Sequence, residues 1–208
     1  MSSEQTPSLR ERRAQLTRDE ILRAARRLFA EAGYARTSVR DIAQAAGVSA
    51  QTVYDSVGSK QALVSRLNDL VDSEAGIAAI ARSAAESGDP WELAATAARI
   101  TRSILEHCGD IVHALVTGAA AEPELAAALA DGQRRHLEGA ERVVGMLRRL
   151  DALGPRNPDE AVESLAAVTD IRFALVLQEN YGWSLDRLES WMAATSRILL
   201  LEPSSKGA

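Results

Sequence analysis

Residues 47–60, GVSAQTVYDSVGSK, combine an apolar side and a polar side within one short stretch. The valines at 48, 53 and 57 fall on one side, and Ser49, Gln51, Thr52 and Asp55 fall on others. Ser49 and Ser59 are each placed to open a helix. Free backbone N–H groups at a helix start favour phosphate oxygens. The stretch therefore predicts a small helix whose outer face is left free for a polar partner.

The preceding residues make this segment the second half of a helix-turn-helix. Ser38 and Asp41 form a capping pair that predicts a helix start. Ala43 is small enough for two helices to cross closely, and Gly47 permits the positive φ of a tight turn. A unit of this kind buries one side of its second helix and leaves the other side free to enter a DNA major groove.

Charge is unevenly distributed along the chain. The net charge of −5 argues against a nucleic-acid partner. Residues 1–60, however, hold ten Lys/Arg against seven Asp/Glu, whereas the remaining residues hold fourteen against twenty-two. This asymmetry favours contact between the N-terminal part and a polyanion, although ordinary surface scatter would also produce a balance of +3.

The other chemically capable residues do not form a recognisable catalytic or metal site. His107, His113 and His136 lack close metal-ligand spacing. The single cysteine, Cys108, excludes an internal disulfide and a multi-cysteine metal site. No nucleophile–base pair or phosphate-cradling loop occurs at a usable spacing. We therefore expect no catalytic residues, no metal and no cofactor, and an enzyme is the less favoured class.

Helix signals account for nearly the whole chain. We expect a flexible arm over 1–14, a first helix opened by the capping box of Thr17 and Glu20, and its end at Gly33. Ser59 predicts the start of a fourth helix. Further helices are expected at about 90–107, 110–121, 124–150, 158–181 and 184–201. No stretch alternates with a period of two, so the predicted fold class is all-α.

Residues 17–70 resemble the DNA-binding domain of the tetracycline-repressor (TetR) family. The residues that carry the resemblance are ILRAARRLFAEAGYARTSVRDIAQAAGVSAQTVY and GSKQAL. ENYGWSLDRLESWMAATSRILL also resembles the C-terminal segment of some members. The resemblance implies a helix-turn-helix DNA-binding domain at 15–62 and a helical ligand-binding and dimerisation domain at 63–208. It also implies a dimeric transcription regulator, usually a repressor, that a small molecule releases from a palindromic operator.

The resemblance assigns roles to individual residues. Thr37 would contact phosphate and Arg40 a base edge, Gln51 and Thr52 would face the major groove, and Tyr54 and Lys60 would hold the phosphate backbone. The implied DNA-binding set is Thr37, Arg40, Ser49, Gln51, Thr52, Tyr54 and Lys60. For each of them, a solvated surface side chain is the alternative.

Three residues depart from the family pattern. Ser56 and Val57 stand where a His or Tyr and an aromatic residue are usual. We expect Val57 to fill the core with less bulk, whereas Ser56 places a usual backbone contact in doubt. Asp55 could accept from a cytosine amine or point away from DNA, and we favour the second. These departures leave open a helical interaction protein whose helix-turn-helix no longer binds DNA.

The C-terminal part carries an apolar pattern suited to dimerisation. FALVL at 173–177 is followed by a helix with one apolar face, formed by Leu185, Leu188, Trp191, Met192, Thr195, Ile198 and Leu199. We expect the last two helices to form a homodimer interface. Completion of the monomer core is the alternative.

A ligand pocket is predicted less directly. The candidate lining residues are Trp91, His107, His113, His136, Asp170, Arg172 and Phe173. Asp170 and Arg172 lie in an apolar stretch, and a buried charge needs a partner. An ion pair is favoured over a ligand carboxylate or amine as that partner.

The location of the protein follows from two negative observations. No apolar run approaches the roughly 20 residues that span a bilayer. The N-terminus, MSSEQTPSLRERR, lacks the apolar region of a signal peptide. We therefore expect a soluble cytoplasmic protein without a membrane partner.

Overall fold

The computed structural model of the chain describes residues 8–201, and this part consists of ten α-helices. Their bounds are α1 Leu9–Ala32, α2 Val39–Ala45, α3 Ala50–Ser56, α4 Lys60–Glu74, α5 Ile77–Ser87, α6 Pro90–Gly118, α7 Pro123–Arg149, α8 Pro158–Val168, α9 Ile171–Tyr181 and α10 Leu185–Leu200. The predicted all-α class is confirmed. Within the same residues, no helix is both long and apolar enough to cross a membrane.

Helix α1 begins earlier than the sequence pattern predicts. Ser8 caps it in a full capping box with Glu11, so residues 9–14 are helical and the prediction of an arm over them is wrong. Thr17 lies inside the helix and its hydroxyl donates to the carbonyl of Arg13. The arm predicted for residues 1–7 lies outside the described residues. Gly33 ends the helix with φ +85°, as expected.

The three serine caps that follow are confirmed. Ser38 accepts from the backbone N–H of Asp41, and the Asp41 carboxylate accepts from that of Ser38. Ser49 and Ser59 cap α3 and α4 through the N–H groups three residues on. Each cap satisfies a backbone donor that the first helical turn leaves free.

The body of the molecule differs from the prediction in three places. Helix α5 was not predicted, because no side chain caps it and two positive-φ residues, Gly76 and Gly88, set its ends. Helix α6 runs through the predicted gap at 108–109 but is non-helical at Cys108, with φ −133° and ψ 19°. The helix expected over 158–181 is two helices, because Asp170 caps a new start.

The core of α1–α4 is completed by the body. Ile21, Ile42, Val53 and Leu63 are fully buried in one cluster. The same cluster includes residues of α6 and α7, namely Cys108, Ile111, Leu115, Leu125 and Ala128. We call α1–α4 the head and α5–α10 the body. The predicted domain limits of 15–62 and 63–208 stay a prediction.

Candidate nucleic-acid interface

The turn between α2 and α3 is built as the sequence indicates. Gly47 has φ +66°, and the N–H of Val48 donates to the carbonyl of Ala43 at 2.9 Å. Ala43, Val53 and Val57 are buried. The smaller Val57 therefore fills the core, as predicted, while Ser56 is half-buried beside it. The buried side of α3 is fixed to the head, and its other side is free.

Helix α3 exposes Gln51, Tyr54 and Asp55. The Nε2 of Gln51 donates to an Oδ of Asp55 at 2.7 Å. Asp55 therefore lies on the same face as Gln51, so the expectation that it points away from DNA is inconsistent with the expectation that Gln51 faces the groove. The spacing of four residues places the two side chains one helical turn apart on one face.

The hydroxyl groups of Ser49 and Thr52 are partly engaged by hydrogen bonds within α3. The Ser49 hydroxyl oxygen accepts from the Thr52 N–H at 3.0 Å and lies 2.8 Å from the Thr52 hydroxyl. Arg40, on α2, is exposed. Their contacts with DNA stay predictions; Arg40 and Ser49 are exposed, and Thr52 is half-buried.

Thr37 is placed differently from the prediction. It is 3% exposed, and its hydroxyl donates to the carbonyls of Gly33 and Leu28 at 2.9 and 3.3 Å. The side chain thus joins the end of α1 to the start of α2 instead of facing solvent. A phosphate contact through this hydroxyl is inconsistent with its burial.

Lys60 is held against an aromatic ring. Its Nζ lies 3.8 Å from the ring centroid of Tyr34, which is within the range of a cation–π interaction. Burial lowers the pKa of Lys60, and the negative charges of Glu122 and Glu124 oppose that shift. The same burial, aided by the two carboxylates, raises the pKa of Tyr34. Lys60, which the resemblance assigns to a phosphate contact, is therefore the first residue of α4 and lies next to the α6–α7 turn.

An arginine that sequence reasoning did not select joins the head to the body. The guanidinium of Arg26, on α1, donates to both carboxylate oxygens of Asp110 and to Glu74, each at 2.6 Å. It also donates to the carbonyl of His107 at 2.6 Å. Burial alone would raise the pKa of Asp110, but the bonds and charge of Arg26 outweigh it and lower that pKa. No local sequence signal marks this pair, since its members are 84 residues apart.

Cys108 lies beside this cluster, at the non-helical point of α6. It is fully buried, and its Sγ is 3.6 Å from a Glu74 carboxylate oxygen. Burial, followed by the charge of Glu74, raises the pKa of the Cys108 thiol to about 11. We call Arg26, Glu74, Cys108 and Asp110 the junction.

Of the seven predicted pocket residues, one lines the cleft between head and body, and the ligand-binding role of all seven stays a prediction. His113 lines a cleft of about 580 Å³ between the end of α1 and the α6–α7 turn, and the other six do not. His107 bonds the Ser103 carbonyl, and the Nε2 of His136 lies 3.1 Å from the Ala166 carbonyl. Trp91 is exposed beside Arg197. Among the described residues, no group of His, Cys, Asp or Glu side chains is placed to hold a metal.

Asp170 and Arg172 form an ion pair, as favoured from the sequence. Asp170 caps α9 by accepting from the Arg172 N–H, and its carboxylate also accepts from the Arg172 guanidinium at 2.7 Å. Burial would raise the pKa of Asp170, but these bonds lower it. The charge in the apolar stretch thus has a partner within the chain.

The outer faces of α9 and α10 expose large apolar side chains. Phe173, Val176, Trp191 and Ile198 are exposed, and Ile198 is exposed to 76%. The Trp191 ring lies 5.9 Å from that of Phe173 and 5.7 Å from that of Trp183. We call Phe173, Val176, Trp191 and Ile198 the apolar face.

Fold and head together define a helical protein with an N-terminal helix-turn-helix of the DNA-binding type. Residues 21–67 match the family model of bacterial regulatory proteins, tetR family. The resemblance stated from the sequence is therefore confirmed over these residues of the head.

Individual relatives and solved structures are also similar to this chain. The HTH-type transcriptional regulator AcrR of Shigella flexneri is 38% identical over 94 residues, a match spanning 45% of this chain and 40% of that relative. NalD of Pseudomonas aeruginosa, the secondary repressor of the MexAB-OprM multidrug efflux pump, is 24% identical with a TM-score of 0.72, over 92% of this chain and 98% of that chain. A SmeT–triclosan complex is 20% identical with a TM-score of 0.73, over 91% and 94%. These two structures share the fold.

Proposed function

We propose that this chain is a DNA-binding transcription regulator whose recognition element is α3. The observation that carries the proposal is the geometry of that helix. Val53 is fully buried, while Gln51, Tyr54 and Asp55 on the other side are exposed. A helix anchored in this way can enter a major groove without loss of core contacts.

Phosphate contacts would come from the residues around α3. Tyr54 and Lys60 would bind the phosphate backbone and fix the register, and Arg40 and Gln51 would reach base edges. Because the chain has a net charge of −5, its attraction to DNA would depend on the basic groups of the head. Because phosphate contacts release counterions, binding should weaken steeply as salt is raised.

A salt titration of DNA binding tests the proposal. An operator is first selected from a genomic fragment library, and affinity is then measured at several salt concentrations. Replacing Tyr54 or Lys60 with Ala should lower affinity and, for Lys60, reduce the salt slope by about one. Arg148→Ala, an exposed cation at the end of α7, is the matched control.

The same experiment separates the rival function. A helical interaction protein with a degenerate helix-turn-helix would retain no DNA from the library. The acidic Asp55 on the reading face favours that alternative, whereas the intact Gly47 turn and the buried Val57 do not. Failure to enrich any DNA would overturn the regulator and support the interaction protein.

We further propose a homodimer through α9 and α10. Aromatic and aliphatic side chains with this exposure, clustered on two adjacent helices, are typical of a protein interface. A two-fold dimer would set two α3 helices side by side on a palindrome.

Control by a small molecule is the last part of the proposal. NalD and SmeT are repressors of multidrug efflux pumps, and SmeT binds triclosan. We propose that a ligand in the body shifts α6, and that the junction passes this movement to α1 and α4. A ligand that binds the two spacings of the heads unequally would then release the operator.

Triclosan and a panel of apolar compounds provide the probe for this step. Operator release by a panel member, with the response lost in Arg26→Ala, is the expected result. Operator affinity unchanged across the panel would contradict ligand control and leave the DNA-binding proposal standing.

A further inference from the structure

Helix α3 carries a hydrogen-bonded pair on its exposed side. The Gln51 amide N–H donates to a carboxylate oxygen of Asp55 at 2.7 Å, and both side chains are exposed. The pair lies on the face opposite the buried Val53. Both side chains are therefore presented together to anything that α3 approaches.

A carboxylate is unfavourable at this position for two reasons. Asp55 lies in the last turn of α3, where the partial negative charge of the helix C-terminus opposes an anion. It also lies on a face that would approach DNA phosphates, which repel it. Its bond to Gln51 is a pair at a spacing of four residues that stabilises a helix only slightly, and it links Asp55 to a side chain that would face bases.

The bond changes what Gln51 presents. A free Gln side chain suits adenine, because it donates to N7 and accepts from the N6 amine. Here one of the two amide N–H groups is engaged by Asp55, so the pair presents the Gln51 carbonyl oxygen, the second amide N–H and the free carboxylate oxygen of Asp55. Two of these three groups are acceptors, and the carboxylate oxygen carries negative charge. The adenine N7 is an acceptor as well, and it would repel that carboxylate.

We infer that Asp55 is a specificity-determining residue and that Gln51 and Asp55 together read a cytosine through its N4 amine. Cytosine presents that donor in the major groove, and a carboxylate is a suitable partner for it. The inference rests on the proposed function, since α3 must enter the groove. The expected cytosine differs from the adenine that a free Gln51 would predict.

Selection from random-sequence duplexes tests the inference with three full-length proteins. The unaltered chain should enrich a cytosine at one position of the site. Asp55→Ala frees the Gln51 amide and should lower that preference at least about fivefold, in favour of adenine. Asp69→Ala removes an exposed carboxylate from α4, nine positions after Lys60, and should keep the cytosine.

Two results would overturn the reading by the pair while the proposed function stands. One is an equal base preference for the unaltered chain and for Asp55→Ala. The other is a selection in which the unaltered chain enriches no cytosine. No enrichment of any sequence by the unaltered chain would overturn both the reading by the pair and the proposed function. Circular dichroism melting of Asp55→Ala confirms that the exposed substitution leaves the head folded.

Discussion

Two exposed surfaces of this molecule are opposite in chemistry. The outer side of α3 shows Gln51 and Asp55, which bond to each other and keep further acceptors free. The apolar face of α9 and α10 shows aromatic and aliphatic groups that can only be satisfied by exclusion of water. The first surface suits a polar partner read by hydrogen bonds, and the second suits another copy of the same face. The exposure of a surface alone therefore says little about its partner, whereas the chemistry of the exposed groups indicates which partner suits it.

Placing a charge on the apolar face should produce the largest effect. In Ile198→Glu, a carboxylate would be buried without a partner at the proposed interface, so we expect a monomer by analytical ultracentrifugation. Operator affinity should fall about 100-fold or more, because two linked heads bind far more tightly than one.

Leu137→Glu is the control for this substitution, because Leu137 is also a large exposed apolar residue but lies on α7. A dimer that persists in Ile198→Glu at the same concentration would contradict the assignment of the apolar face.

The two sides of the helix-turn-helix should respond in opposite ways. Ile42 is fully buried, so Ile42→Ala should lower the free energy of unfolding by about 2–5 kcal/mol. Tyr54→Ala, on the exposed side, should change it by less than about 0.5 kcal/mol while weakening DNA binding. Urea denaturation and a binding titration on both variants measure the two effects. A strong loss of stability in Tyr54→Ala would mean that Tyr54 is structural.

The junction should contribute a smaller amount. Arg26→Ala removes four hydrogen bonds and leaves the carboxylates of Asp110 and Glu74 close to each other, so we expect a loss of about 1–3 kcal/mol. Arg23→Ala, which breaks an exposed pair with Glu20, should cost less than about 1 kcal/mol. Equal losses in the two variants would show that the junction is an ordinary surface ion pair.

Acid provides an independent test of the same contact. The pKa of Asp110 is lowered in the folded chain, so its contribution to stability is present above its ordinary value near 3.8 and is lost as pH falls through the lower folded value. The stability difference between the unaltered chain and Arg26→Ala should therefore shrink below about pH 4. A difference that stays constant down to pH 2 would contradict the pairing.

The smallest expected effect concerns Cys108. Because the thiol is fully buried and its pKa is raised to about 11, it stays protonated at pH 8. A disulfide reagent such as dithionitrobenzoate should react with it only as fast as the chain opens, and at once in denaturant. Rapid reaction in the folded state would show that the junction opens readily.

Local chemistry made much of the head predictable from sequence. The caps at Ser38, Ser49 and Ser59 act on N–H groups three residues away, so neighbouring residues are sufficient to identify them. The predicted start of α1 is wrong because a cap signal is only local. Thr17–Glu20 and Ser8–Glu11 both fit a capping box, and local spacing does not say which one is used.

Asp55 could have been placed from the sequence. A spacing of four residues puts its side chain on the same helical face as Gln51, and a Gln–Asp pair at that spacing forms a hydrogen bond. The expectation that it points away gave more weight to phosphate repulsion than to helix geometry.

The sequence by itself determined the all-α class, the helix-turn-helix and the apolar pattern of the last two helices, because these follow from periodicity and from contacts a few residues apart. The tertiary structure alone decided that Thr37 is buried, that α8 and α9 are separate, and that His113 lines a cleft beside the end of α1. It alone brought Arg26 to Asp110, and Lys60 to Tyr34. These contacts join positions 26 to 84 residues apart, and their formation depends on how the helices pack.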